Sequence, residues 1–201
     1  MPGSQEICTD LIRLGRVYAT SSPSWIRTSR RSAILDRVAD GITEISEIND
    51  CRSLFLSDFQ EAGHNSLRIE VAEGIPVGSA ESIKVGESVI PDCTALEVTH
   101  ESRVFEIFWR RYVRYTMLNE SYASVGDEEC YEGNRFRIYS KSHFIEFMSR
   151  ATFACDEYPG PTRHYCIVCE DHVLDVLSVE PPTVRRVRGS RRSSSAAQLI
   201  Q

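Results

Sequence analysis

The sequence predicts an α+β fold: a mostly antiparallel β-sheet with one amphipathic helix, at about residues 141–151, packed on it. Three observations support this prediction. Between residues 42 and 180, short segments with alternating apolar and polar residues are separated by turn residues, as is typical of strands in hairpin order. One segment changes to helical spacing. Two further alternating runs, joined by two residues, predict a hairpin near the C-terminal end.

The first strands follow from alternation along the chain. Leu67, Ile69 and Val71 occupy every second position, and this run stops at Gly74. A second short run stops at Gly86. Glycine at these points favours turns, because it adopts backbone conformations that other residues avoid.

A longer run, VFEIFWRRYVRYTMLNESY (104–122), carries Phe105, Ile107 and Trp109 on one face. Strands are typically about five or six residues long, so the run predicts either two strands or one strand bent near Arg110-Arg111. Within it, RRYVRY (110–115) interleaves arginine with aromatic residues, as platforms for nucleic acid do. We favour the alternative, in which these arginines lie opposite acidic residues of neighbouring strands.

The segment SKSHFIEFMSRATF (140–153) predicts the helix. Its apolar residues follow the spacing i, i+3, i+4, i+7: Phe144, Phe147, Met148 and Ala151. Ser140 or Ser142 is available as the N-cap, since a serine hydroxyl accepts a hydrogen bond from a free N–H group of the first turn.

Two alternating runs after residue 163, HYCIVC and HVLDVLS, predict a hairpin closed by Glu170-Asp171, with Cys166 opposite Asp175. Because strand side chains alternate, Cys166 and Cys169 point to opposite faces of the sheet and cannot close on one ion. A zinc site or a redox pair would need both sulfurs to converge. We therefore expect neither a metal nor a cofactor.

The same geometry places His164, Cys166 and Asp175 on one face. These are the residue types of a nucleophile, its base and an orienting carboxylate. A small hydrolase that uses His164 with Cys166 and Asp175, or with Glu120, is therefore one hypothesis for function. The alternative, which we favour, is a partly covered sheet face whose polar residues bind one another.

Other candidate binding residues are scattered along the chain. Asn119 and Glu120 end the long run and predict either a polar site or a turn, and Tyr158 lies in the loop CDEYPGPTR (155–163). Lys141 and His143 lie at the helix start, where free backbone N–H groups can hold an anion. His164 completes the set of candidate binding residues.

Charge is unevenly distributed along the chain. The net charge is −6 overall, but residues 41–184 carry 12 basic and 25 acidic side chains, a net −13. An anionic body disfavours nucleic acid and attracts basic partners at long range. We therefore expect a module that binds a basic protein partner, with no nucleic acid bound by the central domain.

The same composition divides the chain into three parts. Residues 1–40 predict a weakly ordered extension rich in Arg and Ser, residues 41–184 the acidic α+β domain, and residues 185–201, with five arginines and no acid, a basic disordered tail. Seven cysteines at irregular spacing favour reduced thiols over a disulfide framework. Without a long apolar run or a secretory signal, we expect a cytoplasmic protein with no membrane association.

Three segments carry a resemblance: YTMLNESY, RIYSKSHFIEF and ATFACDEYPGPTRHYCIVCEDHVLDVLSVEPP. They are similar to a family of small bacterial proteins of uncharacterised function, over about residues 42–184. The resemblance implies that this span is the protein proper, and it transfers no activity. By analogy alone, the compact, acidic and β-rich body also resembles immunity proteins, which inhibit basic toxins.

Overall fold

A computed structural model describes residues 17–19 and 42–188. The elements in this part of the chain are β1 (Val17–Ala19), α1 (Ile42–Asn49), β2 (Leu54–Gly63), β3 (Ser66–Glu73), β4 (Ile75–Val85), β5 (Ser88–Glu97), β6 (Val104–Trp109), β7 (Arg114–Asn119), a 3-10 turn (Glu120–Tyr122), β8 (Cys130–Glu132), β9 (Phe136–Lys141), α2 (His143–Ala151), β10 (Arg163–Val168), β11 (His172–Ser178) and β12 (Thr183–Val187). Neither described helix is long and apolar enough to cross a membrane.

The strands form three antiparallel sheets. One has the order β12-β6-β3-β2, the second β7-β11-β10-β9-β8, and the third β1-β5-β4. The third sheet consists largely of the long β4–β5 hairpin, most of which is exposed. A mostly antiparallel α+β fold is therefore confirmed.

The main core lies between the four-stranded and the five-stranded sheets. Trp109 of β6 stacks on Phe136 of β9, with ring centroids 6.5 Å apart, and meets Tyr165 of β10 at 6.0 Å. All three side chains are buried in one apolar cluster with residues from both sheets. Burial of such large aromatic side chains stabilises the sandwich by roughly 1.5–3 kcal/mol each. The single sheet that we expected is thus two sheets packed face to face.

The long run at 104–122 resolves into two strands rather than one bent strand. β6 belongs to the four-stranded sheet and β7 to the five-stranded sheet, so the chain crosses between sheets at residues 110–113. The crossing is fixed by backbone bonds, since Tyr112 N–H donates to Asn65 O at 3.0 Å and Val113 N–H donates to Leu177 O at 2.7 Å.

Helix α2 confirms the helical prediction, and Ser142 is its N-cap, with its Oγ accepting a hydrogen bond from Ile145 N–H at 3.1 Å.

Helix α1 was not predicted from the sequence. Its Ile48 is fully buried in the main core, and Ile45 packs against the same cluster. Three isoleucines in eight residues have modest helix propensity, so this helix depends on tertiary packing.

The predicted boundary of a disordered tail at residue 185 is wrong. β12 runs across it and pairs with β6, with Arg185 opposite Glu106. The Arg185 guanidinium donates to Glu106 Oε1 at 2.7 Å, and Arg186 lies 3.8 Å from Glu47. These two arginines are ordered because Glu106 and Glu47 of the folded domain bind them. Residues 189–201 lie outside the described residues, as do residues 1–40 apart from β1.

Candidate functional site

The β10–β11 hairpin has the predicted register, with Cys166 opposite Asp175. Cys169 lies in the main core between the sheets, whereas Cys166 packs with Tyr139 on the other face of β10. The two thiols therefore point to opposite faces. In residues 17–19 and 42–188, no three His, Cys, Asp or Glu side chains are grouped so that they could hold a metal ion.

The Cys166 thiol is poorly suited to act as a nucleophile. Its residue is only 1% exposed. Burial raises the pKa of the Cys166 thiol well above its usual value, and the neighbouring Asp175 carboxylate raises it further. Because the thiolate is the attacking form of cysteine, this environment suppresses its reactivity. The geometry gives no support to a Cys166 nucleophile.

His164 joins the hairpin to the start of α2 through two hydrogen bonds. Its Nδ1 lies 2.9 Å from Ser142 Oγ, and its Nε2 lies 2.9 Å from Asp175 Oδ1. The ring also stacks on Tyr139, with centroids 4.3 Å apart. One proton arrangement satisfies the whole chain: Ile145 N–H donates to Ser142 Oγ, the serine hydroxyl donates to Nδ1, and Nε2–H donates to Asp175.

Serine, histidine and aspartate in hydrogen-bond contact are also the residue types of a hydrolytic triad. Here Ser142 is 1% exposed and His164 is 3% exposed, so a substrate cannot reach the hydroxyl. The same hydroxyl is already bound to the first turn of α2 as its N-cap. We therefore interpret this buried polar chain as the link that fixes α2 to the five-stranded sheet. The sequence offered Ser140 or Ser142 as the cap of this helix, and it gave no sign that Ser142 is the partner of His164.

Glu120 lies far from His164, so the expected pairing of these two residues is wrong. His164 is opposite Leu177 at one end of β11, and Asn119, which precedes Glu120, is opposite His172 at the other. Five residue steps along a strand span roughly 17 Å. No shared site can include both side chains.

The start of α2 is occupied by the chain's own groups. Glu129 Oε1 accepts a hydrogen bond from His143 N–H at 3.0 Å, and Ser142 Oγ accepts one from Ile145 N–H. His143 Nε2 lies 3.1 Å from Glu128. An internal carboxylate thus fills the position where we considered an external anion. Lys141, the last residue of β9, is exposed beside it.

Tyr158 is exposed and stacks on Phe153 in the loop between α2 and β10, with centroids 6.1 Å apart. Gly160 of this loop lies beside Val179, next to Ser178, whose hydroxyl donates to Arg111 O. The loop is therefore at the end of the sandwich opposite to Glu120. The structure does not bring the candidate binding residues together.

One end of the five-stranded sheet gathers carboxylates, and we call it the acidic end. It is formed by Glu120 after β7 and by Glu170 and Asp171 in the β10–β11 turn, with Glu120 N–H donating to Asp171 O at 3.3 Å. Partial desolvation raises the pKa of Glu120, and Glu170 and Asp171 raise it further. Arg135, 3.6 Å from Glu170, lowers the pKa of Glu120 and so opposes the rise.

The opposite end carries Arg110, Arg111 and Arg114, all of which are exposed. Arg111 pairs with Glu180 at 3.0 Å, and the Arg114 guanidinium lies 5.1 Å from the centre of the Phe147 ring.

The tyrosines of RRYVRY are also bound within the fold, because Tyr112 and Tyr115 both donate to Glu61 Oε1 at 2.7 and 3.0 Å. An open depression of about 450 Å³ lies beside Arg110 and Arg111. Of the RRYVRY arginines, Arg111 pairs with Glu180, whereas Arg114 lies opposite Leu177 and contacts Phe147, so the expectation that these arginines lie opposite acidic strand residues is not met at Arg114.

Comparisons of this chain with protein-family models, with curated proteins and with solved structures find no match.

Proposed function

We propose that the domain is an acidic protein-binding module and that its acidic end docks a basic protein. The carrying observation is the grouping of Glu120, Glu170 and Asp171, with Arg135 3.6 Å from Glu170. This grouping places three carboxylates at adjacent strand ends, and Glu120 and Asp171 are exposed there. Exposed carboxylates of this kind suit electrostatic recognition of a basic partner.

The electrostatics of Glu120 supply the physical argument. Its raised pKa means that ionisation of this carboxyl is opposed by its surroundings, chiefly by desolvation and by two like charges. A lysine or arginine of a partner, placed beside these carboxylates, offsets the repulsion between their negative charges and favours the ionised form of Glu120. Docking therefore gains energy that the free domain lacks, and it favours basic partners over neutral ones.

The net charge of the body adds long-range attraction to this local effect. With 15 basic and 25 acidic side chains over residues 42–188, a net −10, the folded body steers a basic protein toward itself, and the association rate falls as salt screens the field. A basic toxin inhibited by direct contact is the partner class that the immunity-protein analogy suggests. Unpaired thiols at all six described cysteines fit a reducing compartment, so we place this activity in the cytoplasm.

The experiment compares wild type with Asp171→Lys and with Glu120→Lys/Asp171→Lys in pull-downs from the native host at low salt. The matched control is Glu81→Lys/Glu87→Lys, which makes the same charge change on the exposed β4–β5 hairpin. We expect a basic protein that wild type and control retain, that the acidic-end variants lose, and that about 0.5 M salt releases.

Binding must then be repeated with the purified partner. If the control loses the partner as completely as the acidic-end variants, total charge rather than this surface governs the interaction. If no partner binds wild type at low salt, the proposed function fails.

A further inference from the structure

The two facing sheets have four edge strands, and three of them carry features that prevent pairing with another chain. β2 has two register shifts, and β8 has only three residues and a register shift. β12 carries Arg185 and Arg186 in its centre. Irregularity, shortness and charge are the usual protections of sheet edges.

β7 lacks all of these features. Its six residues, RYTMLN, pair with β11 without a register shift, and the four central residues are uncharged and contain no proline. Met117 is 42% exposed and Leu118 is 40% exposed, on opposite faces of the strand. Within residues 17–19 and 42–188 no strand pairs with the other side of β7. An exposed, regular and apolar edge is a template for another strand.

The hydrogen bonds around the β10–β11 turn show which backbone groups of β7 face outward. Glu120 N–H donates to Asp171 O, in register with the β7–β11 ladder, and Cys169 N–H donates to His172 O, so residue 172 faces β10 and residues 171 and 173 face β7. Because inward and outward groups alternate along an antiparallel ladder, residues 114, 116 and 118 face β11. The N–H and C=O groups of Tyr115, Met117 and Asn119 therefore point away from the sheet.

We propose that β7 pairs antiparallel with β7 of a second copy of this chain, with Met117 on the two-fold axis. Residues opposite each other must lie on the same face, which restricts the register. With Met117 opposite Met117 of the second copy, Tyr115 lies opposite its Asn119. All outward N–H and C=O groups of these three residues are then used, giving six hydrogen bonds and one continuous ten-stranded sheet.

Charge complementarity selects a second copy as the occupant. In this register Arg114 of one copy lies opposite Glu120 of the other, and the symmetry makes this contact twice. Arg114 begins β7, Glu120 directly follows its last residue, and both are exposed. A shift by two residues leaves Asn119 unpaired and places Arg114 opposite Leu118. The strand is thus complementary to itself in one register.

The test is analytical ultracentrifugation of the purified chain at about 100 µM, because an edge contact is smaller than a standard interface. We expect a dimer that weakens at least tenfold in Met117→Pro and in Met117→Lys. The Met117 N–H points outward, so Met117→Pro keeps the hydrogen bonds between β7 and β11 and removes one donor from the dimer contact. Met117→Lys tests the same contact if the proline variant does not fold. The control Val89→Lys, at an exposed apolar residue on β5, should dimerise like wild type.

A charge swap tests the register itself. Arg114→Glu and Glu120→Arg should each weaken the dimer, and an equimolar mixture of the two should recover it as a heterodimer, because each strand then meets its complement. A monomeric wild type, a dimer unaffected at Met117, or a mixture without recovery overturns the proposal. Asp171 lies outside this register, so Asp171→Lys separates partner binding from dimerisation.

Discussion

Removal of the Ser142 hydroxyl tests whether the buried Ser142–His164–Asp175 chain holds the helix to the sheet. In Ser142→Ala, α2 loses its N-cap bond to Ile145 N–H, which costs about 1 kcal/mol. The Nδ1 atom of His164, 2.9 Å from the missing oxygen and inside a buried residue, loses its hydrogen-bond partner. A buried polar atom without a partner costs about 1–3 kcal/mol. The two effects together predict a destabilisation of about 2–4 kcal/mol.

Ser140→Ala is the matched control, because both serines are plausible caps in the sequence. The Ser140 hydroxyl is exposed and donates only to Cys130 O at 3.2 Å, so we expect a loss within about 0.5 kcal/mol. Urea denaturation followed by circular dichroism measures both free energies of unfolding. If Ser142→Ala unfolds with the midpoint of wild type, or if Ser140→Ala costs as much, the hydrogen-bonded chain does not anchor the helix.

Three further predictions follow from single contacts. Asn49 Oδ1 accepts hydrogen bonds from three backbone N–H groups at the β8–β9 turn, so Asn49→Ala should lower the free energy of unfolding by about 2–3 kcal/mol. A midpoint of urea denaturation equal to that of wild type would contradict this role. Iodoacetamide should modify exposed Cys130 in the folded protein well before buried Cys166, as peptide mass spectrometry can show; equal rates would mean that Cys166 is accessible. The pKa of Glu120 is raised in the folded state, so ionisation of this carboxyl lowers the free energy of unfolding as pH rises through that pKa. Glu120→Gln should therefore be more stable than wild type at pH 7 and as stable as wild type below the pKa of Glu120 in the unfolded chain. Unfolding measured against pH that shows the opposite trend would contradict this prediction.

Local patterns were sufficient to predict the hairpin and its helix neighbour. The pairing of Cys166 with Asp175 follows from alternation and a two-residue connection, both of which lie within a few residues. Helical spacing limited the N-cap to Ser140 or Ser142, and Ser142 is the cap in the structure. These features depend on short-range geometry, and the sequence displays it directly.

Long-range features could not be predicted in the same way. Alternation predicts two strands as one option for residues 104–122, but it does not show which sheet a strand joins, so the assignment of β6 and β7 to two facing sheets was not predicted. Composition assigned Arg185 to a basic tail, whereas the structure places Glu106 beside it. His164 finds Ser142 across 22 residues of sequence, and no local pattern links them.

The most direct test of the proposed function is the association rate of the domain with its purified basic partner, measured against salt concentration for wild type and Asp171→Lys. We predict a wild-type rate that falls steeply with salt, and a variant rate that is lower at low salt and less dependent on salt. Equal rates and equal salt dependence for the two proteins would show that the acidic end does not guide binding.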